Sequence, residues 1–200
     1  MGSLVNFEHQ LAKVLRERGV EGHLVLVALS GGADSMALAL AMINVAPILK
    51  NSLVAIHVHH GWIQGEQLDY RNRAWKFVRK FCESKGVSFY SNALEVTPEL
   101  RLQEEPSKTL KSEEELREFR YSVLRKFHKQ LQEKYEKPAL IATAHTSNDL
   151  LETRLIRLIR GTGSEGLQSM KWQEGDLLRP LLRCDREEVV RYLKEKKVSF

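Results

Sequence analysis

The stretch VALSGGADSMALALAMI, residues 27–43, sets a β-branched apolar run directly against an alanine-rich helical one. Between them stand Ser30, Gly31, Gly32, Asp34 and Ser35. A strand that passes at once into a helix is the unit of a parallel sheet, because parallel neighbours need a crossover and the helix supplies it. The apolar run extends back over HLVLVAL (23–29), and SLVAIHVH (52–59) and PALIATA (138–144) repeat it, with VSFYS (87–91) as a weaker fourth. Such continuous Val, Ile, Leu and Ala marks strands covered on both faces. Residues 35–49, 69–86, 113–135 and 148–160 carry apolar residues three to four apart, and a last helix is predicted over 185–197 with Asp185 as N-cap. The fold class expected is therefore α/β, a doubly wound, mainly parallel sheet with helices on both faces.

The 200 residues, 42% of them hydrophobic, suffice for one sizeable core, so residues 1–200 read as one domain. A formal net charge of +5 favours a polyanionic partner, though the excess is mild. Cys82 and Cys184 are the only cysteines and lie far apart, which excludes a CxxC redox pair and a four-cysteine zinc site and fits a reducing cytoplasm. The start, MGSLVNFEHQ, lacks a secretory signal, and no run of about 18 apolar residues exists to span a membrane. Residues 98–111, rich in charge and with two prolines, read as a surface loop that a ligand orders. The closing KVSF resembles the beginning of another strand, as if the chain were cut short.

In open α/β sheets ligands bind beyond the carboxyl ends of the strands, where residues 30–35 fall. Gly31 and Gly32 permit torsions closed to other residues and let main-chain N–H groups approach an oxyanion. The helix that follows adds unsatisfied N–H donors and partial positive charge, worth roughly 0.3–1 kcal/mol per anion. Ser30 and Ser35 add hydroxyl donors. Asp34 repels a phosphate, and its presence is explained if it holds a magnesium ion that the phosphates share. The loop lacks the GK[ST] of a Walker motif. GTGSEG (161–166) matches GxGxxG by letter, but it follows the helical LLETRLIRLIR and reads as a helix C-cap.

The SGGxDS pattern of Ser30–Ser35 resembles the pyrophosphate loop of the ATP-alpha-hydrolase superfamily. With HVHHG (57–61), RYSVL (120–124) preceded by Glu113 and Arg117, TAHTSNDLLET (143–153), RLIRGTGSEGLQSM (157–170) and RPLL (179–182), the chain is similar to the tRNA(Ile)-lysidine synthetase family. It departs from that pattern at Thr146, where a second histidine is usual, at Asn148-Asp149, where an aspartate pair is usual, and at Leu116, where a small residue is.

The resemblance implies two steps: ATP adenylates the wobble cytidine of a minor isoleucine tRNA with a CAU anticodon, then L-lysine displaces AMP. It implies ATP and Mg2+, no membrane, and leaves a homodimer open. ATP would be bound by Ala28, Ser30, Gly31, Gly32, Asp34, Ser35 and His57. Asp34, Glu113, Arg117, His145 and Asp149 would be catalytic. His60, Glu152 and Arg179 would line the lysine pocket, and Asp34 and Asp149 would hold the metal. The second step needs a neutral amine, and deprotonating an ε-amine of pKa about 10.4 at pH 7 costs about 4.6 kcal/mol. Asp149, Glu152 and Glu113, then His60 and His145, are the candidate bases. Asp149 and Glu152, at i and i+3, share a helical face; the plain alternatives are a helix-start aspartate and a glutamate paired with arginine. His57 and His59 share a strand face opposed by His60, a poor zinc geometry. The arginines at 154, 157 and 160 read as the solvated side of a helix whose apolar side is buried. A sister thiolase or amidating synthetase, or a non-enzymatic ATP-binding module, is the competing expectation.

Overall fold

The computed structural model describes residues 2–60, 66–93, 112–161 and 170–200, with the backbone alone at 2–6 and 66–67. In chain order the elements are α1 (Gly2–Glu17), β1 (Leu24–Ala28), α2 (Ala33–Leu49), β2 (Ser52–His57), α3 (Glu66–Lys85), β3 (Ser88–Ser91), α4 (Glu113–Tyr135), β4 (Ala139–Ala142), α5 (Ser147–Ile159), β5 (Gln173–Glu174), β6 (Leu177–Leu178) and α6 (Arg186–Glu195). The strands form one sheet in the order β3-β2-β1-β4-β6-β5. All pairs are parallel except the short β5–β6 hairpin. The chain runs outward from β1 through β2 to β3, then returns to lay β4 on the other side of β1 (Leu24 opposite both Ser52 and Ala139). The loops after β1 and β4 therefore diverge, which opens a crevice at that switch point.

Alternation along the strands assigns the two faces. Val25, Val27, Ala55, Leu140 and Ala142 pack with α1, α2, α3 and α6, whereas Leu24, Leu26, Val54, Ile56 and Ile141 pack with Val123, Leu124, Phe127 and Leu131 of α4. Each fully buried Leu or Ile is worth about 1.5–3 kcal/mol. Helix α2 is apolar on every side because it lies between the sheet and the outer helices, with Met36, Leu38 and Met42 inaccessible. Helix α1, which the sequence reading passes over, uses Phe7, Leu11 and Leu15 at a spacing of four. Leu11 and Leu15 are buried and Phe7 stacks on Tyr192 of α6, centroids 4.4 Å apart. Glu8 ties three helices by accepting from Tyr192 Oη (2.6 Å), Asn44 Nδ2 (2.7 Å) and Lys196 Nζ (2.7 Å).

Three expectations need correction or limits. KVSF forms no strand: Lys197 takes φ 55° and Val198 N–H returns to Leu193 O (3.0 Å), a left-handed cap that ends α6. Its apolar Val198 packs on the core as the cap's contact, not as a strand residue. The 98–111 loop lies outside the described residues, as does GTGSEG beyond Gly161. Gly161 itself takes φ 74° and donates to Leu158 O (3.0 Å), so it ends α5 as a helix-terminating glycine.

Gly31 and Gly32 differ in why they are glycine. Gly31 has φ 99°, and a Cβ there would sit 3.3 Å from Val78 Cγ2 and 3.7 Å from Phe77 Cδ1, both on α3. Gly32, the N-cap of α2, has φ −79° and would bring a Cβ no nearer than 3.9 Å to Ser30 Oγ. Gly31→Ala is thus expected to cost about 1–2 kcal/mol in urea unfolding, whereas Gly32→Ala stays within about 0.5 kcal/mol. At Glu8, burial alone would raise the carboxyl, but hydrogen bonds from Lys196, Tyr192 and Asn44 hold it below its ordinary 4.5. Its stabilising contribution is complete above that ordinary value and lost as pH falls through the lowered folded one. Glu8→Gln should flatten that part of the acid-unfolding curve.

Candidate active site

A cleft of about 240 Å3 opens at the switch point, walled by the loops after β1, β2 and β4 and roofed by α4. Of the candidates, the structure brings together Ala28, Ser30, Asp34, Ser35, His60, His145 and Asp149 on its lining. Ala28, Leu29, Ile56 and Val58 make one side apolar, suited to a flat aromatic base. Asp34 stands in the first turn of α2. Its Oδ1 is buried and has no hydrogen-bond partner among the described residues. Burial, reinforced by Asp149 and opposed by Arg186, raises the Asp34 carboxyl above its ordinary value. A buried carboxylate oxygen lacking a donor, beside a second carboxylate, suits a hard cation. No group of three or more His, Cys, Asp or Glu able to hold a metal occurs among the described residues. That donor set matches magnesium, which binds through one or two carboxylates and completes its shell with phosphate and water.

Asp149 serves two purposes. One oxygen accepts from the N–H and hydroxyl of Thr146 (2.7 and 2.9 Å), which fixes the start of α5, while the side chain also borders the cleft. Thr146, in place of a second histidine, is buried and supplies this cap. The two histidines of the cleft are neutral at pH 7. Burial, aided by Arg120 and Arg71, pushes His60 down to about 3; its Nδ1 is buried and has no partner among the described residues. Burial, aided by Arg179 and opposed by Asp149, pushes His145 down to about 4; its Nδ1 lies 3.0 Å from Thr143 Oγ1. Neither can donate the proton of a charged imidazole, but both offer ring nitrogens to a ligand.

Gly31 and Gly32 belong to the loop after β1 but are not on the lining, and five further candidates fall elsewhere. His57 is buried behind the loop, where Nδ1–H donates to Leu29 O (2.8 Å), and it positions the loop's base without lining the cleft. Glu113 is exposed in the first turn of α4, beside the Ser112–Glu115 capping box. Glu152 is exposed although it shares a helical side with Asp149. Arg117 and Arg179 line a separate cavity of about 450 Å3 with Arg125, His128, Glu174 and Asp176. Arg179 is held there by donating to Lys171 O (2.8 Å) and Glu174 Oε2 (3.1 Å). Tyr121, stacked under the Arg117 guanidinium at 5.5 Å, borders both cavities.

Arg120, rather than Arg117, is the cation on the cleft lining. Its signal was its register: it lies four residues before Leu124, so it continues the buried stripe of α4 with a charge. Helix α5 keeps Arg154 and Arg160 exposed as expected but does not bury its apolar side. Leu151, Leu155, Leu158 and Ile159 are 50–86% exposed, no α5 residue is buried, and Arg157 lies on the half-buried side with Asp149 and Thr153. The N–H and C=O of His59 are clasped by the Asn92 amide (2.7 and 2.8 Å), and its Nε2 lies 3.2 Å from Asn72 Oδ1.

The chain is similar to known proteins. A family model described as a PP-loop domain matches residues 3–200. The chain is 38% identical over 193 residues to a tRNA(Ile)-lysidine synthase of Bdellovibrio bacteriovorus, covering 96% of the chain and 54% of that protein. It is 36% identical over 180 residues to one of Thermotoga sp. strain RQ2, covering 90% and 40%. The chain thus spans about half, or less, of the length of these curated relatives. Among solved structures it resembles the U34-tRNA thiolase NcsA of Methanococcus maripaludis (TM-score 0.67, 19% identity, 96% of this chain and 63% of that one). It also resembles an NH3-dependent NAD synthetase of Campylobacter jejuni (TM-score 0.55, 13% identity, 99% and 75%). These two likenesses speak to the fold alone. With the SGGADS loop at the switch point of a mainly parallel sheet and a matching model over residues 3–200, the chain belongs to the PP-loop domain family.

Proposed function

We propose that this chain is the adenylating catalytic domain of a tRNA(Ile)-lysidine synthetase. It uses ATP and Mg2+ to activate the wobble cytidine of a CAU-anticodon isoleucine tRNA, and L-lysine then displaces AMP. The observation that carries the reading is the convergence of the SGGADS loop, the unpartnered Asp34 carboxylate and Asp149 on one cleft. The names of the curated relatives supply the substrate. A thiolase like the archaeal neighbour, whose title includes a [4Fe-4S] cluster, is disfavoured because this chain has only Cys82, buried, and Cys184. No described helix is long and apolar enough to cross a membrane, and a cytoplasmic enzyme acting on tRNA fits that.

In the first step an oxygen of the base attacks the α-phosphorus and pyrophosphate leaves. Negative charge grows on the oxygen that bridges the α- and β-phosphates, and the first-turn N–H groups of α2 are fixed donors for it. The metal ion, held by Asp34 and Asp149, would neutralise charge on the phosphate oxygens. Ile56 and Val58 offer an apolar seat to the adenine, and Arg120 faces the anionic centre. In the second step the lysine must attack as a neutral amine. For that proton we favour Asp149, which lines the cleft, over Glu113 and Glu152, which are exposed and off the lining. His145 and His60, uncharged, spare the site two positive charges that would repel an incoming ammonium.

The test is pyrophosphate release with a tRNA(Ile) transcript. Release should require tRNA and magnesium together, and Asp34→Asn should lower it by about 100-fold or more with an unchanged melting temperature. Near-normal turnover by that variant would count against the assignment. Because the Asp34 carboxyl is raised above its ordinary 3.8 by burial, Mg2+-dependent ATP binding should begin to fall at a higher pH than an ordinary aspartate would cause. Calorimetry across pH should show that fall in the unmodified chain and not in Asp34→Asn.

A further inference from the structure

The cavity of about 450 Å3 lies between α4 and the β5–β6 hairpin, beside the cleft, and no step of the proposed reaction uses it. Its size falls within the roughly 300–1,000 Å3 of sites that take a drug-sized molecule. One side chain divides the two spaces: Tyr121 borders both, and the Arg117 guanidinium lies over its ring, 5.5 Å from the centroid. Arg117, Tyr121 and Arg125 recur every fourth residue, so one side of α4 presents all three to the cavity. The hairpin faces them with Glu174 and Asp176. These charges are not all spent on one another. Glu174 is paired with the buried Arg179 (3.1 Å). Asp176 Oδ2 lies 3.9 Å from His128 Nε2, too far for a hydrogen bond, and that nitrogen donates to Ala139 O (2.8 Å). Arg117 and Arg125 pair with no carboxylate among the described residues. One aromatic ring, two unneutralised guanidinium groups and one unspent carboxylate therefore share the cavity.

We propose that this cavity seats the base next to the reacting cytidine, the adenine that follows it in a CAU anticodon, and that Tyr121 stands between the two bases. A base enters a cleft only after leaving its stack, which costs free energy that the protein must offset. Single-stranded loops are bound with their bases splayed apart onto aromatic rings and guanidinium planes, and Tyr121 with Arg117 supplies one of each. Once the cytidine lies in the cleft, a single phosphodiester ties its neighbour to it, and the next space along α4 is this cavity. Arg125 and Arg117 meet the phosphates as charged donors. Asp176 accepts from the exocyclic amine of the adenine, a donor group that a carboxylate without hydrogen bonds can use. Free lysine fits the cavity less well, because it carries a net positive charge and two guanidinium groups oppose it there. The seat rests on the reading that the cytidine of the tRNA reacts in the cleft.

The experiment is pyrophosphate release and lysine incorporation by the full chain, with tRNA(Ile) transcripts that carry at the position after the cytidine either adenine or a purine lacking the 6-amino group. Arg125→Ala should raise KM for tRNA about tenfold and leave KM for lysine and calorimetric ATP binding unmoved. Tyr121→Leu should lower kcat/KM for tRNA about tenfold, and Tyr121→Phe, which keeps the ring, should retain most of it. Asp176→Ala and removal of the 6-amino group should each lower kcat/KM about tenfold, and together no further than either alone, a coupling that a merely structural role for Asp176 would not produce. Arg125 and Asp176 are exposed, so both variants should melt at the temperature of the unmodified chain. Independent, multiplying effects of Asp176→Ala and the missing amine overturn the seat while the function stands. A rise in KM for lysine rather than for tRNA in Arg125→Ala does the same and gives the cavity to the amino acid. If the unmodified chain releases no pyrophosphate with either transcript, the reading of the cleft itself fails, and the seat with it.

Discussion

The parallel pairing of β1 on both edges is the constraint from which the rest follows. Leu24 to Ala28 is hydrogen-bonded to β2 on one side and, through Val27, to β4 on the other, so the strand is central and its loop emerges where the flanking connections part. Nothing in the sheet competes for the groups at residues 30–34. The strand must be apolar on both faces to sit there, and Leu24, Leu26, Val25 and Val27 meet that demand by packing alternately on α4 and on α2. A chain that buried β1 at an edge would have its loop beside one neighbour and no crevice to line.

Burial then sets the electrostatics of the crevice. Asp34, His60 and His145 are all moved in the direction that favours their uncharged forms, and in each the largest cause is loss of water. The arginines oppose this at Asp34 through Arg186 and reinforce it at the histidines through Arg120 and Arg179. A site organised this way keeps its imidazoles neutral and leaves one carboxylate oxygen in need of a partner. That is the balance expected where a triphosphate and a cation must enter together.

Side chains hold main chain throughout the rim, and several do so in place of a ladder. Ser35 gathers the amides after β1, His57 takes the carbonyl of Leu29, Asn92 clasps both polar groups of His59, and Asp149 caps α5 through Thr146. Each of these side chains is buried or half-buried, so each bond satisfies a polar group that has lost water. The loops are thereby given one shape before any ligand arrives.

Without reaching the short β5 and β6, the amino-acid sequence by itself determined β1 to β4, most helices and the glycine loop after β1. These depend on local patterns: continuous β-branched runs, a spacing near 3.6, Asp185 as a cap, and a glycine pair between strand and helix. It also placed Asp34, His60, His145 and Asp149 in motifs that the fold brings to one cleft. What only the tertiary structure decided was which neighbours in a motif face that cleft. Arg120 lines it, whereas Arg117, one turn earlier and only about 60° away around the helix, lines the neighbouring cavity instead. Helix α5 has a clear amphipathic pattern, yet Leu151, Leu155 and Leu158 stay exposed while Asp149, Thr153 and Arg157 are half-buried, and the contacts at its start are made by Thr146 and Asn148. The end of α6 reads as a strand until Lys197 adopts a left-handed turn, a conformation that lysine does not advertise. Periodicity specifies an element and its sides, but the direction of those sides is a property of the packed molecule.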